Sequence, residues 1–151
     1  MFGACVSPPT DLRYCKLPSG AKVPQAYATT QVDRELQSFF SFLKAQNALP
    51  TPACAQAYLE FQCSQGYPIC RSDGAGQDRT VNTCYFECSN FVSACAGQLI
   101  GVARPNCGQY SVSPDCTARL LALQQNTDNG NSASTVVASL AVVLVALVAA
   151  L

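Results

Sequence analysis

The chain has 151 residues, with nine basic and nine acidic side chains, no histidine and no tryptophan, and ten cysteines. Balanced charge leaves no net field to steer nucleic acid, so no nucleic-acid partner is expected. Without histidine the usual general base is missing, the carboxylates are scattered rather than paired as glycoside hydrolysis requires, and no serine lies in a G-x-S-x-G elbow; neither an enzyme nor a catalytic residue is expected.

The cysteines are Cys5, Cys15, Cys54, Cys63, Cys70, Cys84, Cys88, Cys95, Cys107 and Cys116. An even number in so short a span is what an oxidising compartment leaves, because crosslinks stand in for a large core. Zinc sites repeat pairs of cysteines two to four residues apart or add histidines, whereas here only Cys84 and Cys88 are that close. No C-x-x-C redox motif is present. The reading is therefore five structural disulfides, no metal, no cofactor, and a secreted or lumenal location.

In chain order, the start MFGACVSPP has neither a basic segment nor an apolar run of signal-peptide length. A signal peptide is expected to have preceded Cys5, and the start to be truncated. Short strands near Cys5 and Cys15 are expected, separated by turns at Ser7-Pro8-Pro9 and Pro18-Ser19-Gly20. From Val32 the apolar positions Val32, Leu36, Phe39, Phe40 and Leu43 recur at helical spacing, with Thr30 as N-cap and Asp33 as the acidic third residue. A second helix begins at Thr51-Pro52 and carries Cys54, Tyr58 and Phe61 on one stripe. Residues 71–76 read as a loop. A third helix is expected from Thr80 to about Gln98, because Val81, Cys84, Tyr85, Cys88, Phe91, Val92 and Cys95 share a face. Three disulfides would radiate from it, making it the hub.

After Cys116 a brief amphipathic piece, TARLLALQQ, ends the domain, which is assigned to residues 1–125 with its cysteine core at 5–116. Residues 126–135 form a polar linker of small residues, and residues 136–151 an uncharged apolar tail. Sixteen residues of helix span about 24 Å, short of the roughly 30 Å hydrocarbon core, and no basic residue flanks them. Small residues, a polar spacer and a terminal apolar tail are the order of a glycosylphosphatidylinositol (GPI) attachment signal, whose tail is removed. Asn131 is the favoured attachment residue, with Gly130 and Asn129 as alternatives; a tail-anchored or marginal transmembrane helix is the competing reading.

Ten cysteines permit about 945 pairings, nine times the count for eight, and spacing does not choose among them. Their order nevertheless resembles that of the Frizzled-type cysteine-rich domain. The likeness lies in C-x8-C-x6-C from Cys54 to Cys70, C-x3-C-x6-C from Cys84 to Cys95, and C-x8-C from Cys107 to Cys116. FQCSQGYPIC is similar to the family's F-x-C-S-x-x-x-P-x-C segment, and CYFECSNFVSAC to its three-cysteine helix, with Glu87 in register with an acidic residue. The resemblance implies a mainly α bundle of three to four helices with short N-terminal strands. It also implies the pairing Cys5–Cys70, Cys15–Cys63, Cys54–Cys95, Cys84–Cys116 and Cys88–Cys107.

Two segments depart from the family. Its Y-N-x-T stretch is replaced by LPSGAKVPQAYATT, and its aromatic F-G-F-x-W-P run, part of the lipid-binding surface in Wnt receptors, by LIGVARPN. SFFSFL on the first helix remains. Phe39 and Phe40 match positions that in the family touch the ligand's fatty acyl chain, and Leu43 is grouped with them as a candidate contact. Two phenylalanines at helical spacing equally suit a core. The function expected is a GPI-anchored binding module on the extracellular face of the plasma membrane, recognising a lipid-modified, apolar or protein ligand. A structural or adhesive surface coat, or a carrier of a sterol-like or pterin-like small molecule, is the alternative.

Overall fold

The structure is a computed structural model and describes residues 4–72, 78–81 and 83–112. In chain order the elements are β1 (Cys5–Val6), β2 (Val23–Pro24), α1 (Gln31–Ala45), α2 (Pro52–Gly66), β3 (Ile69–Ser72), β4 (Asp78–Val81) and α3 (Tyr85–Ala94). Two 3-10 turns, Gln25–Tyr27 and Cys107–Gln109, complete them. The domain is small, mainly helical and disulfide-rich with short strands, as expected; the LALQQ end of the expected domain, the linker and the tail lie outside the described residues.

Local chemistry fixes α2 most clearly. Thr51 Oγ1 accepts from the Cys54 N–H at 3.4 Å, and Pro52 sits in the first turn, where its missing N–H costs nothing. The helix ends at Gly66, where the Tyr67 N–H reaches back to the Cys63 carbonyl and Pro68 follows. Its inner side buries Cys54, Ala57, Tyr58, Phe61, Cys63 and Ser64. α1 turns Asp33, Leu36 and Leu43 inward and runs beside α2. Thr30 occupies the N-cap position of α1, but its side chain makes no capping hydrogen bond.

The third helix is shorter than its periodicity predicts. Residues 78–81, of which Thr80 and Val81 were expected in the helix, form β4 instead, antiparallel to β3 with Ile69 opposite Val81 and Cys70 opposite Thr80. β-branched Thr80 and Val81 suit a pleated surface, and the apolar stripe that began at Val81 is compatible with either element. Helix then starts after Cys84, whose extended backbone (φ −91°, ψ 157°) and N–H, accepted by Glu87 Oε2 at 3.2 Å, mark the true N-terminus. Arg71 and Ser72, expected in a loop, belong to β3, and the remainder of that loop lies outside the described residues. No strand forms at Cys15; β1 pairs with β2, with Cys5 opposite Pro24 and Val6 opposite Val23.

Four disulfides join these pieces: Cys5–Cys70, Cys15–Cys63, Cys54–Cys95 and Cys88–Cys107. Each is a pairing that the Frizzled-type order implies. Cys84 is also disulfide-bonded, and its expected partner, Cys116, lies outside the described residues. The core is built around α2, with Cys15, Val23, Leu36, Tyr67, Cys88, Phe91 and Cys95 packed on it.

Candidate functional site

Seven aromatic rings form a continuous row through the domain. Tyr14 stacks on Phe40 with centroids 5.7 Å apart and planes 9° apart, and Phe40 meets Phe39 edge-on at 5.5 Å. Both phenylalanines touch Tyr58, at 5.1 Å from Phe39 and 6.1 Å from Phe40. Tyr58 passes the row to Phe91 at 5.3 Å, Phe91 stacks on Phe61 at 5.3 Å, and Phe61 meets Tyr110 at 5.8 Å. The middle of the row is sealed: Tyr58, Phe61 and Phe91 are buried. At its α1 end, Phe39 and Phe40 are half-buried, packed against the core on one side and open on the other.

The two candidate rings are thus brought together, and Leu43 is not equivalent to them. At 9 % exposure Leu43 offers a ligand little surface. One helical position away, Phe42 stands 61 % exposed and extends the apolar character of this end of α1 outward. Burial raises the Tyr58 pKa, which keeps its phenol neutral beside the two rings.

Asp33 is the residue whose role sequence reasoning missed. It does not serve its own helix start. Its Oδ2 accepts from the Arg13 N–H at 2.9 Å, and its Oδ1 from the Tyr14 N–H at 2.7 Å and the Cys15 N–H at 2.8 Å. That clamp ties the N-terminal segment to α1 and holds Tyr14 where it stacks on Phe40. A signal was available in the sequence: Asp33 lies on the same stripe as Leu36 and Phe40, where a solvated first-turn carboxylate does not belong.

Among the described residues no group of three or more His, Cys, Asp or Glu is arranged to hold a metal ion, and no helix is long and apolar enough to cross a membrane. The candidate attachment residues Asn129, Gly130 and Asn131 and the apolar tail lie outside the described residues. Comparison with protein-family models, with curated proteins and with solved structures finds no match for this chain.

Proposed function

We propose that the chain is an extracellular binding module of the Frizzled cysteine-rich type that takes an apolar or lipid-modified ligand, free or carried on a protein, at the Phe39–Phe40 end of the aromatic row. The carrying observation is that these two rings continue a buried row toward the surface, between Tyr58 and Tyr14, without being sealed themselves. Rings fixed on one side by Tyr14 and Tyr58 form a preorganised apolar surface, which lowers the ordering cost of binding. The disulfide pairings give the reading its family support.

The test is uptake of a fluorescent long-chain fatty acid by the full chain and by Phe39→Ser and Phe40→Ser. At least one variant loses about tenfold or more in affinity. Because the rings are only half-buried, its stability falls by about 1–2 kcal/mol, less than the roughly 3–5 kcal/mol of a fully buried phenylalanine. Unchanged uptake in both, or a core-sized loss of stability without a binding defect, returns the pair to the core and favours an inert surface coat.

The module is held to the outer leaflet, in this proposal, by a GPI anchor at Asn131, with Gly130 and Asn129 as alternatives. Mass spectrometry of the protein from the cell surface then finds a C-terminal peptide ending at one of these residues and none containing residues 136–151. Recovery of the apolar tail on the mature protein establishes a membrane-inserted tail instead.

A further inference from the structure

A cavity of about 210 Å3 lies between α3 and the segment that follows it, walled by Phe91, Val92, Leu99 and Val102, with the exposed Ile100 and Arg104 at its rim. Its frame is rigid. Cys54–Cys95 fixes the end of α3 to the first turn of α2, and Cys88–Cys107 returns the far end of the segment to α3, so both ends of the loop 96–106 are crosslinked. Gln98 tightens the join, its Oε1 accepting from the Thr51 N–H at 2.7 Å and its Nε2 donating to the Ala94 carbonyl at 3.3 Å.

The loop backbone is turned in an uncommon way to make this wall. Gly97 (φ +74°) and Gly101 (φ +92°) take left-handed conformations without penalty, but Leu99 between them is held at φ +51°, where leucine is rarely found. Ile100 beside it is 98 % exposed, an aliphatic side chain given wholly to solvent. Strain and an exposed apolar rim at the same cavity suggest a site rather than a packing defect.

Size and charge define the occupant. The cavity exceeds the roughly 150 Å3 that accepts benzene and is below the roughly 300 Å3 at which drug-sized sites begin. That size suits a short aliphatic chain and is too small for a long acyl chain. Arg104 brings the one formal charge among the lining residues, and none of the described carboxylates pairs with it. The end of α3 would oppose an anion, but its last carbonyls are taken: Phe91 by the Cys95 N–H, Ser93 by Ala96, Ala94 by Gln98 Nε2 and Cys95 by the Gln98 N–H.

The geometry points to this cavity as a second binding site, taking a short aliphatic carboxylate with its chain between Val92, Leu99 and Val102 and its head at Arg104. It includes neither Phe39 nor Phe40 and does not depend on their role.

Octanoate, octanol and octylammonium, titrated into the full chain labelled at its valine, leucine and isoleucine methyls, test this. Octanoate shifts the methyls of Val92, Leu99 and Val102 and binds about tenfold more tightly than octanol, with octylammonium weaker still. Arg104→Gln, on an exposed side chain, abolishes the preference for octanoate and leaves octanol binding unchanged, and Phe40→Ser changes neither. Val102→Phe fills the cavity and abolishes both; should that variant fail to fold, the Arg104→Gln comparison alone decides. Absence of shifts at these methyls with octanoate in the millimolar range, or a preference that survives Arg104→Gln, overturns the assignment.

Discussion

Asp33 is 4 % exposed and brings a carboxylate to the inner side of α1, where burial alone raises its pKa. The N–H groups of Arg13, Cys15 and Tyr14, with the Arg13 charge, outweigh that effect and hold the carboxyl below its ordinary value. Since the folded pKa is depressed, the stabilisation is fully present above the unfolded value of about 3.9 and is lost as pH falls through the folded pKa. Asp33→Asn keeps the shape but turns an amide N–H2 toward donors that need an acceptor, so it costs about 2–3 kcal/mol at neutral pH. Urea unfolding of both proteins from about pH 7 to about pH 2 shows that gap narrowing on the acid side. A constant gap across the range means that charge on the carboxyl is not what holds the N-terminal segment. In Asp33→Asn, Tyr14 loses its fixed place on Phe40, so under the proposed function the same variant also weakens acyl binding at the row.

At the scale of elements, α1 and α2 meet tightly at Gly66. A Cβ placed there lies 2.6 Å from both Cγ atoms of Val32 and 2.8 Å from its Cβ. A valine in a helix has one strongly preferred rotamer and cannot step aside, so the helices must part. Gly66→Ala therefore destabilises the domain by about 1–3 kcal/mol, net of any gain in helix propensity. Val32→Ala relieves it in part, since it removes both Cγ contacts and leaves the one at Cβ, in a double-mutant cycle measured by urea unfolding; strictly additive effects mean that the two helices do not meet as described.

What the sequence reveals follows the range of the interaction. The start of α2 is legible because Thr51 and Pro52 act on their own turn. The start of α3 is not, because Thr80 and Val81 satisfy a helical stripe and a strand alike, and the choice is made by pairing with β3. The Phe39–Phe40 pair is visible in SFFSFL, whereas its partner Tyr14 arrives by a contact between distant segments through Asp33. The cavity beside α3 leaves no trace of periodicity in LIGVARPN, since a crosslinked irregular loop builds it.

At the scale of the molecule, the four described disulfides span sequence separations of 65, 48, 41 and 19, and each contributes on the order of 2–4 kcal/mol, with constraint of the unfolded chain only part of the account. They are not equally accessible. Cys54 is fully buried and Cys95 is 4 % exposed, Cys15 and Cys63 are buried, and Cys88 is buried with a half-buried partner. Among the four described bridges only Cys5–Cys70 is half-buried at both ends, and it joins two short strands rather than two helices. Thiolate attack requires access to a sulfur, so among the described bridges reduction under native conditions opens Cys5–Cys70 first and leaves Cys54–Cys95 until the helices separate. Brief exposure to dithiothreitol, trapping with an alkylating reagent and peptide mapping read the order directly. Before reduction the denatured chain titrates for no free thiol; after it, label appears on Cys5 and Cys70 while helical circular dichroism persists. Early label on Cys54 and Cys95, or loss of helix together with the first bridge, shows instead that the crosslinks act as one cooperative unit with no separable N-terminal part.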